Sequence, residues 1–420
     1  MSMTTPAGSM IDRTAAAGPK SEVGAAARSR PLRILLVNLV DWDQPTGSCQ
    51  HQLGLMDSWL ARGHDVRMLT PASGAMSAMP ERHRGRVSRT VSLGRRLGLP
   101  LSVDTLSQLV ALVWLRIVWR PDIVYSRTNS LTFLLAGLAR ALGLRIVIEH
   151  NGWLSRERLE GGGSARLAHL EERAQVLAAR LAHRSRCVTR GIADRLADLG
   201  VDGTRLFALG NGCDTASFGP LDRDEAFRAI GLPPERTTVG FIGNIVPWHG
   251  LDIALEAFAT VAARHPDTDF VVFGDGPARA GLEADAARLG IADRVRFLGR
   301  VPAPRANLAI NCLDVAVLPL TLKRDTAFGY SPIKIRDYAA AGRLVLTGHL
   351  PDSTELVGRG WLHTHVADDA ADMARVLDRL LAVRASWPAA GRAARRFAEE
   401  HFDWRVIAGR IDEELHRVAG

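Results

Sequence analysis

Three observations predict an α/β fold built from two doubly wound parallel-sheet domains. Short, continuous apolar runs alternate with helical segments, the alternation restarts after a polar stretch, and 420 residues suffice for two cores. The first run is Arg33-Ile-Leu-Leu-Val-Asn-Leu-Val40, the kind of strand that is buried on both faces of a parallel sheet. A helix follows from about Cys49 to Arg62, then a turn and strand over Gly63 to Thr70. Asp122 to Tyr125 is the next strand, and a helix from Leu131 to Leu142 leads into another at Leu144 to Glu149.

Residues 213–235 are rich in Pro, Gly and charge and read as a linker. The pattern then begins again with strand Thr238 to Gly243, helix Leu251 to Arg264 and strand Asp269 to Gly274. Helix Ala278 to Leu289 and strands Arg294 to Leu298 and Leu313 to Leu318 follow. This order predicts a disordered tail over 1–30, a Rossmann-like domain over 31–212 and a second over 236–400. Residues 401–420 form a terminal helix expected to pack back toward the first domain. Open α/β sheets bind ligands beyond the carboxyl ends of their strands, so two facing sheets define a cleft.

Composition narrows the class. Hydrophobic residues at 47% and charged residues at 23% are ordinary for a soluble protein. Leu106 to Trp119 is interrupted by Arg116, and Leu131 to Ile148 by Arg140 and Arg145, so both read as buried elements rather than membrane spans. The first 30 residues lack the basic start and apolar centre of a secretory signal. Four scattered cysteines without a Cys-x-x-Cys pair argue against a zinc site and a disulfide framework, and fit a reducing cytoplasm. The net charge of +8 is concentrated in Arg82, Arg84, Arg86, Arg89, Arg95 and Arg96. That cluster suits peripheral contact with an anionic membrane, a phosphorylated acceptor, or simply a solvated loop. Nucleic acid is not expected, because no aromatic residues are interleaved to stack bases.

The stretch most suggestive of chemistry is Gly329 to Gly342. A polar loop runs into a helix that Pro332 suits at its start and Gly342 at its end, and a helix N-terminus with Lys334 beside it favours phosphate. Asp337, one turn on, suits sugar hydroxyls. Phosphate and sugar together point to a nucleotide sugar.

Several further segments, taken in order, carry a family resemblance. Pro45-Thr-Gly-Ser48 precedes a helix and the run Leu60-Ala-Arg-Gly-His-Asp-Val66. Asn211-Gly-Cys-Asp214 is followed by Phe218 and Pro220. Phe273-Gly-Asp-Gly-Pro277 precedes Val295-Arg-Phe-Leu-Gly-Arg-Val301, and Ser331-Pro-Ile-Lys-Ile-Arg-Asp-Tyr-Ala-Ala-Ala-Gly342 completes the set. From about residue 33 to 405 the chain resembles the retaining glycosyltransferases of the GT-B fold, family 4 (glycosyl transferases group 1). The resemblance implies transfer of a hexosyl-type sugar from a nucleotide-diphosphate sugar, UDP first and GDP second, to a glycan, lipid-linked or small-molecule acceptor. It also implies that the donor is a co-substrate and no cofactor is required. Surface polysaccharide assembly and secondary metabolism are the expected settings, in the cytoplasm or at the inner membrane face.

Residue by residue, the resemblance gives Lys334 the leaving diphosphate, assisted by Ser331, Pro332 and Ile333 at the helix start and by Gly47 and Ser48 in the first domain. Gly243, Asn244 and His249 match the segment where the family carries Arg and Lys. Asp337 matches the ribose-binding glutamate, and the backbone of Arg300 and Val301 the base-binding strand end. The first glutamate of the donor motif falls on Gly329, which leaves the sugar open, and Lys323 or Arg324 are additional cations for the leaving group. His150 is the candidate for contacting the transferred sugar, although a histidine at a strand end also serves to anchor a loop. Glu149 beside it points to the opposite face. Asp41 and Asp43 are read as acceptor contacts rather than a metal site. Two other readings remain: an epimerase or hydrolase of the same architecture, and a catalytically degenerate nucleotide-sugar binding protein.

Overall fold

The computed structural model describes residues 30–43, 47–72, 74–322, 331, 333–349 and 356–420. Readings that fell on the tail up to residue 29, on Pro45, Thr46, Lys323, Arg324 and Gly329, and on Pro332 lie outside the described residues.

Seven parallel strands form the first sheet: β1 Arg33–Val37, β2 Asp65–Pro71, β3 Val87–Thr90, β4 Ile123–Arg127, β5 Arg145–His150, β6 Arg184–Cys187 and β7 Leu206–Ala208. Their spatial order is β3-β2-β1-β4-β5-β6-β7. The helices between them are α1 Gly47–Ala61, α2 Glu81–Arg84, α3 Leu93–Leu97, α4 Thr105–Val118, α5 Thr132–Ala141, α6 Leu154–Glu160, α7 Ala165–Leu181 and α8 Arg190–Asp198. The second sheet has six parallel strands: β8 Thr237–Ile242, β9 Thr268–Phe273, β10 Val295–Gly299, β11 Val315–Leu318, β12 Leu344–Gly348 and β13 Leu362–His365. Its order is β10-β9-β8-β11-β12-β13. Around it run α9 Arg223–Ile230, α10 Leu251–Ala262, α11 Arg279–Arg288, α12 Ala306–Asn311, α13 Ile333–Ala340, α14 Ala370–Ala382 and α15 Trp387–Phe397; α16 Trp404–Ala419 ends the chain.

The strand registers explain the apolar runs. β1 pairs with β2 on one side and β4 on the other, so Ile34 to Val37 meet protein on both faces and along both edges. Each sheet reverses its winding at one place, between β1 and β4 in the first and between β8 and β11 in the second. These two switch points are where connecting helices diverge and leave a crevice.

Two features differ from the sequence reading. Residues 213–235 are not a free linker: α9 buries Ala226 and Phe227 in the second core, and Arg223 pairs with Asp314 at 2.8 Å. Composition missed this because an amphipathic helix two turns long carries as much charge as a loop. The segment Leu106 to Trp119, expected to be buried, is α4, and its outer face is open to solvent.

The chain crosses between domains twice, and the crossings lie side by side. The Cys213 N–H donates to Phe402 O at 2.8 Å, and Trp404 N–H donates to Cys213 O at 3.1 Å. Phe402 packs in the second core and Trp404 in the first. The Trp404 indole fills the space beside Gly54 and Gly212, where a Cβ at either position would overlap its ring. Helix α16 then lies along α1. Trp59 Nε1–H donates to Ala408 O at 3.3 Å, and Asp412 receives Arg62 at 3.1 Å and His64 at 3.0 Å.

Candidate active site

The second switch point is floored by backbone rather than side chains. β8 is followed by Gly243 with φ 145° and β9 by Gly274 with φ 144°, a region that L side chains rarely adopt. Gly243 N–H donates to Phe273 O at 2.8 Å, and Gly274 N–H to Gly299 O at 2.7 Å, so adjacent strand ends step down in register. A Cβ on Gly274 would overlap Gly243 O. The result is a shelf that a planar or anionic ligand can approach closely.

Helix α13 stands over this shelf, anchored by the Tyr338 hydroxyl, which accepts from Ile242 N–H at 3.2 Å. One turn earlier, Lys334 extends across Gly243, where a Cβ would meet its Cε, and its Nζ lies 5.5 Å from the Phe241 ring centroid. Asp337 lies on the same helix, half-buried, and burial pushes its carboxyl up to about 7, with Asp214 adding to the rise and Lys334 and Arg336 opposing it. Arg300 is exposed and Val301 half-buried just past the end of β10.

His249 is buried with Nδ1 2.8 Å from Asn244 O, so Nδ1–H donates to that carbonyl. The opposite nitrogen can therefore donate to an anion only when the ring is protonated. Asn244 itself is exposed at the shelf edge. Ser331 lies at the domain crossing, its hydroxyl 3.5 Å from the Asn211 N–H.

The first switch point faces this arrangement. A Cβ on Gly47, at the start of α1, would lie 3.8 Å from Ile333 Cδ1, which brings the N-termini of α1 and α13 together across the domains. Ser48 Oγ accepts from Arg127 Nη1 at 2.9 Å. Arg127, at the carboxyl end of β4, thus reaches across the switch point toward α1, as Lys334 does in the second domain. It was missed from the sequence because the strand was ended at Tyr125; extending it two residues puts a cation on the cleft edge.

Three residues expected to contact sugar or acceptor have partners within the protein. His150 is fully buried: Nδ1 lies 2.9 Å from Thr128 Oγ1 and Nε2 3.3 Å from Ser185 Oγ, and burial pushes its pKa down to about 4. A neutral, enclosed ring ties β5 to its neighbours. Asp43 accepts from Met76 N–H at 2.8 Å, and Asp41 Oδ1 accepts from Asp43 N–H at 3.1 Å, so both carboxylates help to hold their own loop.

Glu149 faces away from His150, as strand geometry requires, into a closed charge network. Burial alone would raise its pKa, but His51 at 2.8 Å and Arg186 at 2.6 Å hold the carboxyl well below the usual range. Arg186 continues to Leu209 O at 3.0 Å and Asn211 Oδ1 at 3.1 Å, so this buried pair fixes the start of the domain crossing.

Among the described residues His64, Asp412 and His416 form a cluster with metal-ligand side chains. His64 Nδ1 accepts from Leu32 N–H at 3.0 Å, which leaves its proton on Nε2, directed at Asp412. A metal there would have to displace that proton from a ring whose other nitrogen is already an acceptor. The cluster is a clasp holding α16 to the first domain.

Two switch points, each crossed by a basic side chain and set face to face, define a two-domain fold of the GT-B type. Residues 46–212 match the glycosyl transferase 4-like domain, and residues 236–383 match glycosyl transferases group 1. Over 92% of this chain and 100% of that chain, the fold superimposes on Anabaena Alr3699/HepE, solved with UDP and glucose, with TM-score 0.72 at 20% identity. The 2-deoxystreptamine glucosyltransferase of Streptomyces kanamyceticus is 29% identical over 49% of this chain and 52% of its own. The phosphatidyl-myo-inositol mannosyltransferase of Mycobacterium tuberculosis is 32% identical over 52% of this chain and 56% of its own. The chain spans about half the length of these curated relatives. It matches the two glycosyl transferase domain models in order, on a fold of the GT-B type.

Proposed function

We propose that the chain transfers a hexosyl-type sugar, with retention, from a nucleotide-diphosphate sugar to an acceptor hydroxyl, UDP-sugars being the first donors to test and GDP-sugars the second. The observation that carries this is Lys334 extended over the glycine shelf of β8 and β9, beside the N-terminus of α13. As the glycosidic bond breaks, negative charge gathers on the departing diphosphate. Lys334 Nζ and the N–H groups at the start of α13 stabilise it, with His249 adding charge when protonated. The start of α1, with Ser48 and Arg127, meets the phosphates from the opposite domain. Asp337 accepts the ribose hydroxyls, and the backbone at Arg300 and Val301 takes the base. No metal is needed where a lysine and a helix terminus supply the positive field.

The acceptor is a polyhydroxylated molecule, free or lipid-linked. Two relatives are named for acting on ring polyols, 2-deoxystreptamine and phosphatidyl-myo-inositol, which supports a cyclitol or sugar hydroxyl. Cytoplasmic work, in part at the membrane face, fits four buried cysteines that form no disulfide among the described residues.

A thermal-shift screen of UDP-, GDP- and ADP-sugars, followed by turnover with cyclitol and glycan acceptors, tests the reading. One donor should raise the melting midpoint by mass action. Lys334→Ala should lower kcat about 10²- to 10³-fold, the scale of losing one transition-state donor. Nucleotide release at full rate without any acceptor would instead indicate a hydrolase.

A further inference from the structure

We propose that the outer face of α3, α4 and the turn between them is a docking surface for an anionic lipid bilayer. The face is apolar at helical spacing: Leu106, Val110, Val113, Trp114 and Ile117 recur at i, i+4, i+7, i+8 and i+11. Val110 is 73% exposed, Ile117 68% and Trp114 56%. Leu97, Leu99 and Leu101 extend the patch beyond the N-terminal end of α4. Contiguous apolar surface of this kind marks an interaction site rather than ordinary surface.

Residues 101–118 are long and apolar enough to cross a membrane by composition. They do not cross it here, because the opposite face of α4 is committed to the fold. Leu112 and Leu115 are fully buried in the first core, and Gln108 Nε2–H donates to Asn38 O at 2.8 Å. A helix with one face in the protein and the other bare lies on a bilayer instead of spanning it.

Charge identifies the occupant. Residues 82–121 contain eight arginines and one acid, Asp104. That acid is buried, accepting from Ser92 Oγ at 2.9 Å and Gly94 N–H at 2.6 Å, so it does not offset the field. Arg82 and Arg86 are drawn to Asp57 and Asp65, but Arg84, Arg89, Arg96 and Arg120 are exposed without an ion pair among the described residues. Arg89 and Arg96 also line a hollow of about 480 Å³ with Thr90 and Ser92, at the carboxyl edge of β2 and β3 beside the apolar patch. A phosphate head group fits these two guanidinium groups while acyl chains meet Leu97 and α4. An apolar stripe bordered by one sign of charge is complementary to an anionic membrane surface, and poorly suited to a second copy of itself.

The test is flotation of the full chain with phosphatidylglycerol/phosphatidylcholine vesicles against pure phosphatidylcholine, in low and high salt and without donor. Binding should require the anionic lipid and weaken with salt. Ile117→Glu with Val110→Glu should abolish it in both salts. Arg89→Gln with Arg96→Gln should weaken it roughly fivefold per arginine at low salt, leaving vesicle-free donor binding unchanged. Quenching by brominated lipid should be lost selectively in Trp114→Phe, which reads the same contact without introducing charge. No flotation, or flotation indifferent to these substitutions, overturns the proposal. So does a dimer in sedimentation that Ile117→Glu converts to monomer. Because vesicles are read without donor, failure here is separate from failure of the transferase reading.

Discussion

Asp337 shows how a site residue's surroundings set its pH response. Its carboxyl is raised to about 7, mainly by burial. Two consequences have opposite signs. Ionising it costs the folded state, so its contribution to stability is full below about pH 4 and is lost as pH rises through 7. Accepting two ribose hydroxyls requires the ionised form, so donor affinity should fall as pH drops below 7. Calorimetric titration of the donor between pH 5.5 and 8.5 checks this, and Asp337→Asn should flatten the profile while weakening binding. His150 makes the contrasting case. Enclosed and neutral, it should affect stability and not turnover: His150→Leu should cost about 1–3 kcal/mol by stranding the Ser185 hydroxyl, while the Thr128 hydroxyl keeps the Glu149 carbonyl. The measurements are denaturant unfolding and kcat on the same sample. A large fall in kcat with unchanged stability would return His150 to the sugar.

At the scale of elements, the informative units are strand ends. Gly243→Ala would force a side chain into a backbone region that costs about 1–3 kcal/mol and would push Lys334 off the shelf. Donor affinity should therefore drop more than stability does. Gly274→Ala would strike backbone, Gly243 O, and should be the more destabilising of the two by thermal unfolding. The strand–helix alternation that made these ends was readable because parallel strands buried on both faces have no polar partner in the sequence. The facing of α4 was not. A helix with Leu, Val and Ile on two sides gives no sign of which side the sheet covers, and only the packing of Leu112 and Leu115 decided it.

For the whole molecule, the two crossings and α16 make one hinge. Trp404→Ala would leave a cavity where the domains join and should cost about 3–5 kcal/mol, with a looser domain angle in small-angle scattering. The clasp at Asp412 makes the same join sensitive to acid. Burial works against it, but His64 and Arg62 hold its carboxyl below the ordinary value. Its contribution is present above the usual carboxylate range and is lost as pH falls through the depressed one. Hydrogen exchange in α16 should rise on acidification before the second sheet opens, and Asp412→Asn should produce that pattern already at neutral pH.

The sequence by itself determined two Rossmann-like halves, their order and the segment that carries Lys334 and Asp337, because periodicity, turn glycines and local motifs are properties of neighbouring residues. Tertiary structure alone decided which charged groups reach the cleft. Thr128 after β4, Ser185 in β6 and Gln175 in α7 close over His150. Met76 claims Asp43 across a loop, and Arg127 becomes a cleft residue only because β4 lies beside β1. Burial and hydrogen bonding of a side chain depend on residues distant in the chain, so no local pattern encodes them.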